Sequence, residues 1–417
     1  MIYADNFLFL TLFFRLQRVK RKTDFIFIRL KTMSDFIQTT EELNQLCRRL
    51  AEHPFVTVDT EFIREKTYWP QLCLIQIASA DEAVCIDPLA KDMDLQSLFD
   101  LMQNEAVVKV FHAARQDIEI FYHLSGKTPV SVFDTQLAAM VCGFGESVSY
   151  QNLVQKLLGR ELDKSMRFTD WSRRPLTEKQ ISYALNDVTH LRDVYQKITG
   201  ILEETGRADW VSDDTALLTN PKTYENDSAS AWKRLKITST KPFYLALCQD
   251  LAAYREDTAK RQDRPRKHIM RDEVLLEIAG SAPESGEDMA KLRGLPQGFV
   301  NSRMGREILK IIAAVKARDA SSYPVLPKPY ELPRSARAVS KMLRLLLMIK
   351  AAENDVAEKL IVSQDDLDIL AGEKNPDLEV LKGWRYQIFG KAALEMKAGK
   401  TGLRYNPEKH RIDLLSF

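Results

Sequence analysis

The most informative segment of this 417-residue chain is Val56-Thr57-Val58-Asp59-Thr60-Glu61-Phe62, which we interpret as a β-strand. Successive side chains of a strand point to opposite faces, so Asp59 and Glu61 share one face while both valines lie on the other. A face that carries two carboxylates opposite an apolar face is half of a metal site. The alternative is an exposed edge strand, on which such acidic pairs are common.

A third acidic residue, Asp117, lies at the start of a predicted helix. The apolar run 107–111 predicts a buried strand, and a short turn then leads into apolar positions with helical spacing. An acid at a helix start is also explained by the helix dipole alone, which favours negative charge there. Asp117 is therefore a candidate ligand with an ordinary structural alternative.

A fourth acid is paired with a tyrosine on another predicted helix. The segment 177–180 has the spacing of a capping box and predicts a helix start. Within that helix Tyr183 and Asp187 are four residues apart and share a face. As an isolated pair they are more typical of a surface hydrogen bond than of a functional site.

Taken together, these residues resemble the DEDD exonuclease superfamily. The closest resemblance is to the subclass whose third motif is Tyr-x-x-x-Asp, and within it to the ribonuclease D family. The likeness continues through residues 68–77, 133–136, 162–165 and 169–171, and it covers nearly everything from about residue 35 to the C-terminus. Each motif is weak by itself, whereas the ordered set is specific.

The resemblance implies a metal-dependent site with two divalent ions, Mg²⁺ or Mn²⁺. Two ions about 4 Å apart can neutralise charge on the attacking and leaving oxygens of a phosphodiester, and oxygen ligands suit these metals. The family implies that Asp59 bridges the ions. It further implies that Glu61 and Asp187 are the other ligands of the ion that activates water, and that Asp117 is a ligand of the second ion. The ordinary pKa of Tyr183 is too high for a base at neutral pH, so we expect it to orient the water.

The expected activity is a 3′ to 5′ exoribonuclease that releases nucleoside 5′-monophosphates one at a time. By the same resemblance, precursor tRNA 3′ ends are the leading substrate. A DNA exonuclease of the proofreading type is one alternative, because carboxylates do not sense the 2′-hydroxyl. A nuclease-dead RNA-binding scaffold is another, although the presence of all four acids and Tyr183 disfavours it. We expect a cytoplasmic enzyme that needs neither a membrane nor an obligate protein partner.

Length and composition predict a soluble protein of two or three domains with a net charge of +2. The apolar stretch 7–14 is too short to span a membrane, and its cations follow it, unlike those of a secretory signal. We therefore expect Met33 to be the true start and residues 1–32 to be a non-native extension, with a membrane tether as the alternative. The five cysteines form no Cys-x-x-Cys pair, which favours free thiols over zinc or disulfides.

The exonuclease domain is expected at residues 33–208. Its predicted strands, at about 55–62, 71–79, 83–87 and 107–111, are followed mainly by helices. This order predicts a mixed sheet flanked by helices in an α/β domain, and the resemblance implies a ribonuclease-H-like fold. Residues 209–228 are expected to be a linker, because Asp213-Asp214 and Asn220-Pro221 interrupt any periodicity.

The C-terminal half contains an internal repeat, since the segment 269–275 is echoed at 361–367. Both copies resemble the HRDC domain, a small all-α bundle associated with nucleic-acid binding. We expect one such bundle at 229–318 and a second, more loosely matching one at 334–417. A proline-rich, stiff linker at 319–333 would join them.

Several basic residues are candidate RNA contacts. A cation-rich segment between residues 255 and 271 includes Arg264, Arg266 and Lys267. Four cations at helical spacing form a stripe on the first helix of the second copy: Arg334, Arg337, Lys341 and Arg344. For both sets of cations, the alternative to RNA contact is an ordinary solvated protein surface. His112, next to the second motif, either touches substrate or is a hydrogen-bonded structural histidine.

Overall fold

The computed structural model of this protein describes residues 35–163, 165–296, 298–326, 328 and 330–417. The predicted extension at 1–32 and the predicted start at Met33 lie outside the described residues. The chain from Phe36 to Phe417 forms one unit. No helix in the described part is long and apolar enough to cross a membrane.

Six strands form one sheet in the N-terminal domain: β1 (Phe36–Ile37), β2 (Phe55–Ile63), β3 (Gln71–Ala78), β4 (Ala83–Ile86), β5 (Val108–Phe111) and β6 (Val132–Asp134). Their order across the sheet is β1-β4-β3-β2-β5-β6. β2 pairs antiparallel with β3 and parallel with β5, so the predicted mixed sheet is confirmed. The sequence missed β1 and β6, because strands of two and three residues carry too little alternation to be recognised.

β2 is an interior strand, and this position rules out the edge-strand interpretation of its acids. Val56 and Val58 are buried on the face opposite the carboxylates. On the carboxylate face, Asp59 lies directly across from Gln76 of β3. The acids are therefore held within the sheet by neighbours on both sides.

Six helices accompany the sheet: α1 (Thr40–Leu50), α2 (Gln96–Met102), α3 (Arg115–Ser125), α4 (Thr135–Val141), α5 (Tyr150–Leu158) and α6 (Glu178–Thr205). The predicted capping box at the start of α6 is present, with Thr177 and Gln180 exchanging side-chain and backbone hydrogen bonds. The Thr57 hydroxyl donates to the Val188 carbonyl over 2.8 Å. This bond fixes α6 against the carboxylate face of β2.

The segment 209–228, predicted to be a linker, is instead largely helical and packed. It contains α7 (Ser212–Thr219), and Tyr224 beyond it is buried in the core of the exonuclease domain. The Thr128 hydroxyl also donates to the Thr219 carbonyl over 2.7 Å. The prediction failed because Asn220-Pro221 ends this helix instead of preventing it.

The first C-terminal region is a helical bundle, as predicted. It contains α8 (Pro242–Gln262), α9 (Arg266–Ile269), α10 (Asp272–Ser281), α11 (Gly286–Ala290) and α12 (Arg303–Ala317). Apolar residues of the three longer helices form its core, among them Leu251, Ile278 and Ile312. The bundle is thus assembled around one interior of its own.

The second C-terminal region is helical but not all-α. Its helices are α13 (Arg337–Glu353), α14 (Glu358–Ile361), α15 (Gln364–Gly372), α16 (Gly383–Arg385) and α17 (Lys391–Lys397), and a hairpin of β7 (Thr401–Asn406) and β8 (Arg411–Ser416) follows them. The all-α prediction is wrong for this hairpin. Its turn is fixed by the Asn406 side chain, which accepts hydrogen bonds from the backbone of Glu408 and Lys409.

The second region shares a core with the exonuclease domain. Leu343 and Leu346 of α13 belong to the same buried cluster as Leu153 of α5 and Val194 of α6. The backbone N–H of Ala357 also donates to the Met140 carbonyl over 3.0 Å. This region is therefore docked on the exonuclease domain and is not tethered at a distance from it.

Candidate active site

Three of the predicted acids converge above the sheet. Asp59 and Glu61 project from β2, and Asp187 projects from α6. One carboxylate oxygen of each lies within 4.8 Å of the others. The strand period and the helical spacing in the sequence therefore place these side chains together, as expected.

Asp117 lies beside this group without belonging to it. It is buried in the first turn of α3, and the Thr60 hydroxyl donates to its carboxylate. Asp134 accepts hydrogen bonds from the backbone of Ala113 and Ala114 over 3.0 and 2.9 Å, which fixes the turn that leads into α3. Asp134 thus positions Asp117, a role that the resemblance at residues 133–136 did not specify. We call Asp59, Glu61, Asp117 and Asp187 the acid cluster.

The acid cluster is electrostatically unfavourable by itself. Burial raises the pKa of Asp59 to about 6. Burial, followed by repulsion from the neighbouring acids, raises the pKa of Glu61 to about 9 and that of Asp187 to about 8. The same two causes raise the pKa of Asp117 well above its usual value. Among the described residues, no basic side chain offsets this repulsion by an ion pair with these acids.

The donor set fits divalent cations. All four groups supply carboxylate oxygens, the hard ligands that Mg²⁺ and Mn²⁺ prefer. A bound cation would also supply the positive charge that the cluster lacks. Next to it, Gln76 is fully buried directly across from Asp59, and neither polar atom of its side-chain amide has a hydrogen-bond partner. Such an orphaned buried amide is expected where an ion or its bound water completes the site.

Two tyrosines contact Asp187, of which the sequence predicted one. Tyr183 hydrogen-bonds to the Asp187 carboxylate, and burial together with the nearby acids raises its pKa further. Tyr150, at the start of α5, donates its hydroxyl to the Asp187 backbone carbonyl. Tyr150 has no motif spacing to either residue, so the sequence could not have indicated it.

A cavity of about 550 Å³ opens onto these groups. Asp59, Glu61, Asp187, Tyr183 and His112 all line it. The His112 Nδ1 atom also lies 3.0 Å from the Thr135 hydroxyl, and burial lowers the pKa of the ring. His112 therefore makes the predicted structural hydrogen bond and also lines the cavity, while its contact with substrate stays a prediction.

The predicted basic residues lie away from this cavity. Arg264 and Lys267 are exposed. Arg266 is engaged within the protein, since its Nε and Nη2 atoms donate to the Glu256 carboxylate over 2.5 and 2.6 Å. Glu256 also accepts hydrogen bonds from Arg234 and from the hydroxyl of Tyr68, which belongs to the exonuclease domain. We call Tyr68, Arg234, Glu256 and Arg266 the Glu256 junction.

The four cations of the predicted stripe are exposed on one side of α13 and its preceding turn. Leu343 and Leu346 are buried on the other side, so the predicted amphipathic helix is confirmed. Arg344 forms an ion pair with Glu358 at 3.1 Å. The stripe thus consists of exposed cations, one of which has an intramolecular partner.

Comparisons with known proteins agree with this geometry. A family model described as a 3′-5′ exonuclease matches residues 35–203, and an HRDC domain model matches residues 245–312, within the first predicted bundle. The chain is 47% identical to ribonuclease D of Nitrobacter hamburgensis over 378 residues, covering 91% of this chain and 98% of that protein. It is 46% identical to ribonuclease D of Bartonella henselae over 371 residues, covering 89% and 91%.

Among solved structures, that of Escherichia coli RNase D superposes with a TM-score of 0.74 at 27% identity, covering 87% of this chain and 98% of that one. It is described as an exoribonuclease involved in structured RNA processing. A protein from Bifidobacterium adolescentis has the same fold, with a TM-score of 0.63 at 19% identity and coverage of 88% and 97%.

Proposed function

The chain belongs to the ribonuclease D family and is a 3′-5′ exoribonuclease, and from this premise we propose that a two-metal site built on the acid cluster trims the 3′ ends of precursor tRNAs. The observation that carries the proposal is the convergence of three carboxylates within 4.8 Å on a face where they have no cationic partner among the described residues. A site of this kind is costly to fold and is explained by ion binding.

We assign the ligands as follows. The charge of Asp59 raises the pKa of each of the other three acids, and Asp59 would bridge two ions, Mg²⁺ or Mn²⁺. Glu61 and Asp187 would join Asp59 as ligands of the first ion. Asp117, outside the group of three, would be a ligand of the second ion. Bound there, the ions would supply the positive charge that phosphodiester hydrolysis needs at the attacking and leaving oxygens.

The protein's own groups orient the reactants. Since the pKa of Tyr183 is raised, its hydroxyl stays protonated at neutral pH and can position the attacking water by a hydrogen bond. Tyr150 holds the backbone of Asp187, and through it the carboxylate, in place. Asp134 does the same for Asp117 by fixing the turn before α3. The chemistry therefore depends on side chains whose orientation is fixed before substrate binds.

The substrate assignment rests on the family and on the C-terminal regions. The Escherichia coli relative is described as acting on structured RNA, and a tRNA with a single-stranded 3′ extension combines a structured body with an accessible end. The HRDC region lies beside the exonuclease domain, where it can contact that body. The cytoplasm is the proposed place of action, without an obligate protein partner.

The test is digestion of an end-labelled tRNA that bears a short 3′ extension, with Mg²⁺ or Mn²⁺, resolved at single-nucleotide steps. We expect successive loss of nucleoside 5′-monophosphates that stops near the mature end and is abolished by a chelator. A matched DNA strand should be cleaved more slowly. Equal cleavage of the DNA would favour the proofreading type of enzyme, and no chelator-sensitive release would support the scaffold alternative.

We also propose that the stripe on α13 and the exposed residues Arg264 and Lys267 contact the phosphates of the tRNA body. Each phosphate contact with a single strand contributes roughly 0.7 to the slope of log affinity against log salt. For precursor tRNA, changing all four stripe cations to Gln should make that slope less steep by about 2. The full contribution of four contacts is not expected, because Arg344 is already paired with Glu358. An unchanged slope would contradict the binding role.

A further inference from the structure

Phe168 is the most exposed large apolar side chain among the described residues, at 92% exposure. It lies in a turn between α5 and α6, directly after Arg167. Single exposed apolar residues are ordinary on protein surfaces and need no explanation of their own. Phe168 differs from such residues because its neighbour Arg167 lines the catalytic cavity.

Arg167 connects Phe168 to the catalytic cavity. Its guanidinium carbon lies 5.4 Å from the centroid of the Phe168 ring, and the residue itself lines the cavity that holds Asp59, Glu61 and Asp187. Within the described lining of that cavity, Arg167 is the one lysine or arginine. A phosphate that approaches the carboxylates therefore meets its positive charge at the rim.

The turn that carries both residues is fixed at its base. The backbone N–H and the hydroxyl of Thr169 both donate to the Met166 carbonyl, over 3.1 and 2.9 Å. Trp171, two residues further, is buried in a cluster against which Met166 packs. The ring of Phe168 is thus presented to solvent by an anchored backbone, so little backbone entropy is lost when a flat partner stacks on the ring.

Because Arg167 lines the cavity, an RNA whose 3′ end occupies that cavity can pass this side chain as it leaves. Base stacking on aromatic side chains is the usual way in which proteins hold single strands without reading their sequence, and a cation for the phosphate usually accompanies the ring. Phe168 and Arg167 offer this combination, with Arg167 in the lining of the cavity that holds the carboxylates.

We propose that Phe168 and Arg167 form a subsite for a nucleotide of the RNA strand on the 5′ side of the one being removed. Phe168 stacks on its base and Arg167 holds its phosphate. The inference rests on the proposed exoribonuclease site and specifies how that site holds its substrate.

The experiment measures steady-state digestion of a single-stranded RNA decamer by the full chain, as wild type and as Phe168→Ala, Phe168→Trp and Phe417→Ala. Phe417 is the matched control, because it is 83% exposed and directly follows β8 of the C-terminal hairpin. Loss of one stacked base should raise KM for Phe168→Ala about tenfold with a much smaller change in kcat. Phe168→Trp should restore KM, and Phe417→Ala should match the wild type.

Binding provides a second readout that does not depend on turnover. A decamer with 2-aminopurine near its 3′ end is titrated with each protein in EDTA. Stacking should quench its fluorescence with the wild type and with Phe168→Trp, and the quenching should be lost with Phe168→Ala. Arg167→Gln should make the slope of log affinity against log salt less steep by roughly 0.7.

Several results would overturn the subsite. KM and quenching for Phe168→Ala that equal those of Phe417→Ala would show that the ring makes no contact with RNA. A loss in kcat that Phe168→Trp does not restore would show that the residue supports the fold of the site. Failure of the proposed function is distinguishable, because the wild type would then release no mononucleotides from the same decamer.

Discussion

The acid cluster, with four partly or fully buried carboxylates, and the Glu256 junction, with one buried carboxylate, have opposite electrostatics. Glu256 is fully buried, yet hydrogen bonds from Arg266 and Tyr68 and the charges of Arg266 and Arg234 outweigh its burial and lower its pKa. The acid cluster has no cationic partner among the described residues, so burial raises the pKa of each of its members. The junction is thus electrostatically complete within the chain, whereas the cluster is complete only with a cation from outside.

This difference separates a structural use of buried charge from a functional one. At the junction, Tyr68 comes from the exonuclease domain and Glu256 and Arg266 come from the first bundle, so the network holds the two together. In the acid cluster like charges are held close together, and in the proposed site this cost is retained because phosphodiester hydrolysis needs a divalent cation there. The same substitution, a carboxylate to its amide, should therefore have opposite effects on stability in the two places.

The largest effect is expected on catalysis. Asp59→Asn and Asp187→Asn should each lower single-turnover release of mononucleotides by about a thousandfold or more, because each removes a ligand and thereby an ion. The metal-free variants should also unfold at higher urea concentration than the metal-free wild type, since a repelling charge is gone. A near-normal rate in either variant would contradict the metal assignment.

Glu256→Gln should instead destabilise the protein, by about 2 to 3 kcal/mol. This is less than the loss for a fully buried pair, because Arg266 and Arg234 keep partial access to water. Urea unfolding measures the change, with Glu204→Gln as an exposed control on α6 that should shift stability by less than about 0.5 kcal/mol. A stabilised Glu256→Gln variant would show that the junction resembles the acid cluster after all.

The two sets should also respond oppositely to pH. In EDTA, the raised pKa values of the acid cluster mean that the folded state retains protons that the unfolded state has lost. Stability should therefore fall as pH rises from about 4 towards 9, by about 1.4 kcal/mol per pH unit for each retained proton. Glu256, with its lowered pKa, contributes stability above pH 4 that is lost on acidification.

Urea unfolding at pH 5 and pH 8 tests this difference, with and without Mg²⁺. We expect the metal-free protein to be less stable at pH 8 than at pH 5 and Mg²⁺ to reverse that order. In Asp187→Asn the pH dependence in EDTA should be shallower. A metal-free wild type whose stability is independent of pH over this range would mean that water enters the cluster and screens its charges.

The sequence predicted the acid cluster much better than the junction, and the reason is local periodicity. Asp59 with Glu61 and Tyr183 with Asp187 are fixed by the periods of a strand and a helix, which bring them to one face whatever the rest of the chain does. Gln76 and Tyr150 act through pairings between distant elements, for which a single sequence carries no spacing. The partnership of Arg266 with Glu256 and Tyr68 is of this second kind, and for that reason Arg266 was interpreted as a phosphate contact.

The same distinction explains the errors in the fold. The four inner strands were long enough to show their pattern, whereas β1 and β6 were not. The helix α7 has almost no amphipathic pattern, and it is stabilised by packing on the exonuclease domain that no local signal records. The C-terminal hairpin was missed because the resemblance to a helical repeat took precedence over its alternating residues.

The smallest effect concerns the hydroxyl of Tyr68. Tyr68→Phe removes the hydrogen bond that this hydroxyl donates to Glu256 and the one it accepts from Arg266 at 3.0 Å, while the aromatic ring beneath the Arg266 guanidinium stays in place. Because Arg266 and Arg234 still partner Glu256, no buried charge is left alone. The loss should be about 1.5 kcal/mol in urea unfolding, the lower end of the net value of a hydrogen bond to a charged group, because both charged partners keep their bonds to each other.

A double-mutant cycle with Glu256→Gln decides whether the junction is a network. If the hydroxyl of Tyr68 acts through the charge of Glu256, removing it in the Glu256→Gln background should cost clearly less than in the wild type, giving a coupling of at least about 0.5 kcal/mol. Equal losses in both backgrounds would show that the hydroxyl is stabilised by Arg266 alone. In that case Glu256 would be an ordinary ion pair of the first bundle, and the exonuclease domain would be held to it chiefly by the backbone of Tyr68 and Trp69, both of whose N–H groups donate to Asp263 over 3.0 Å.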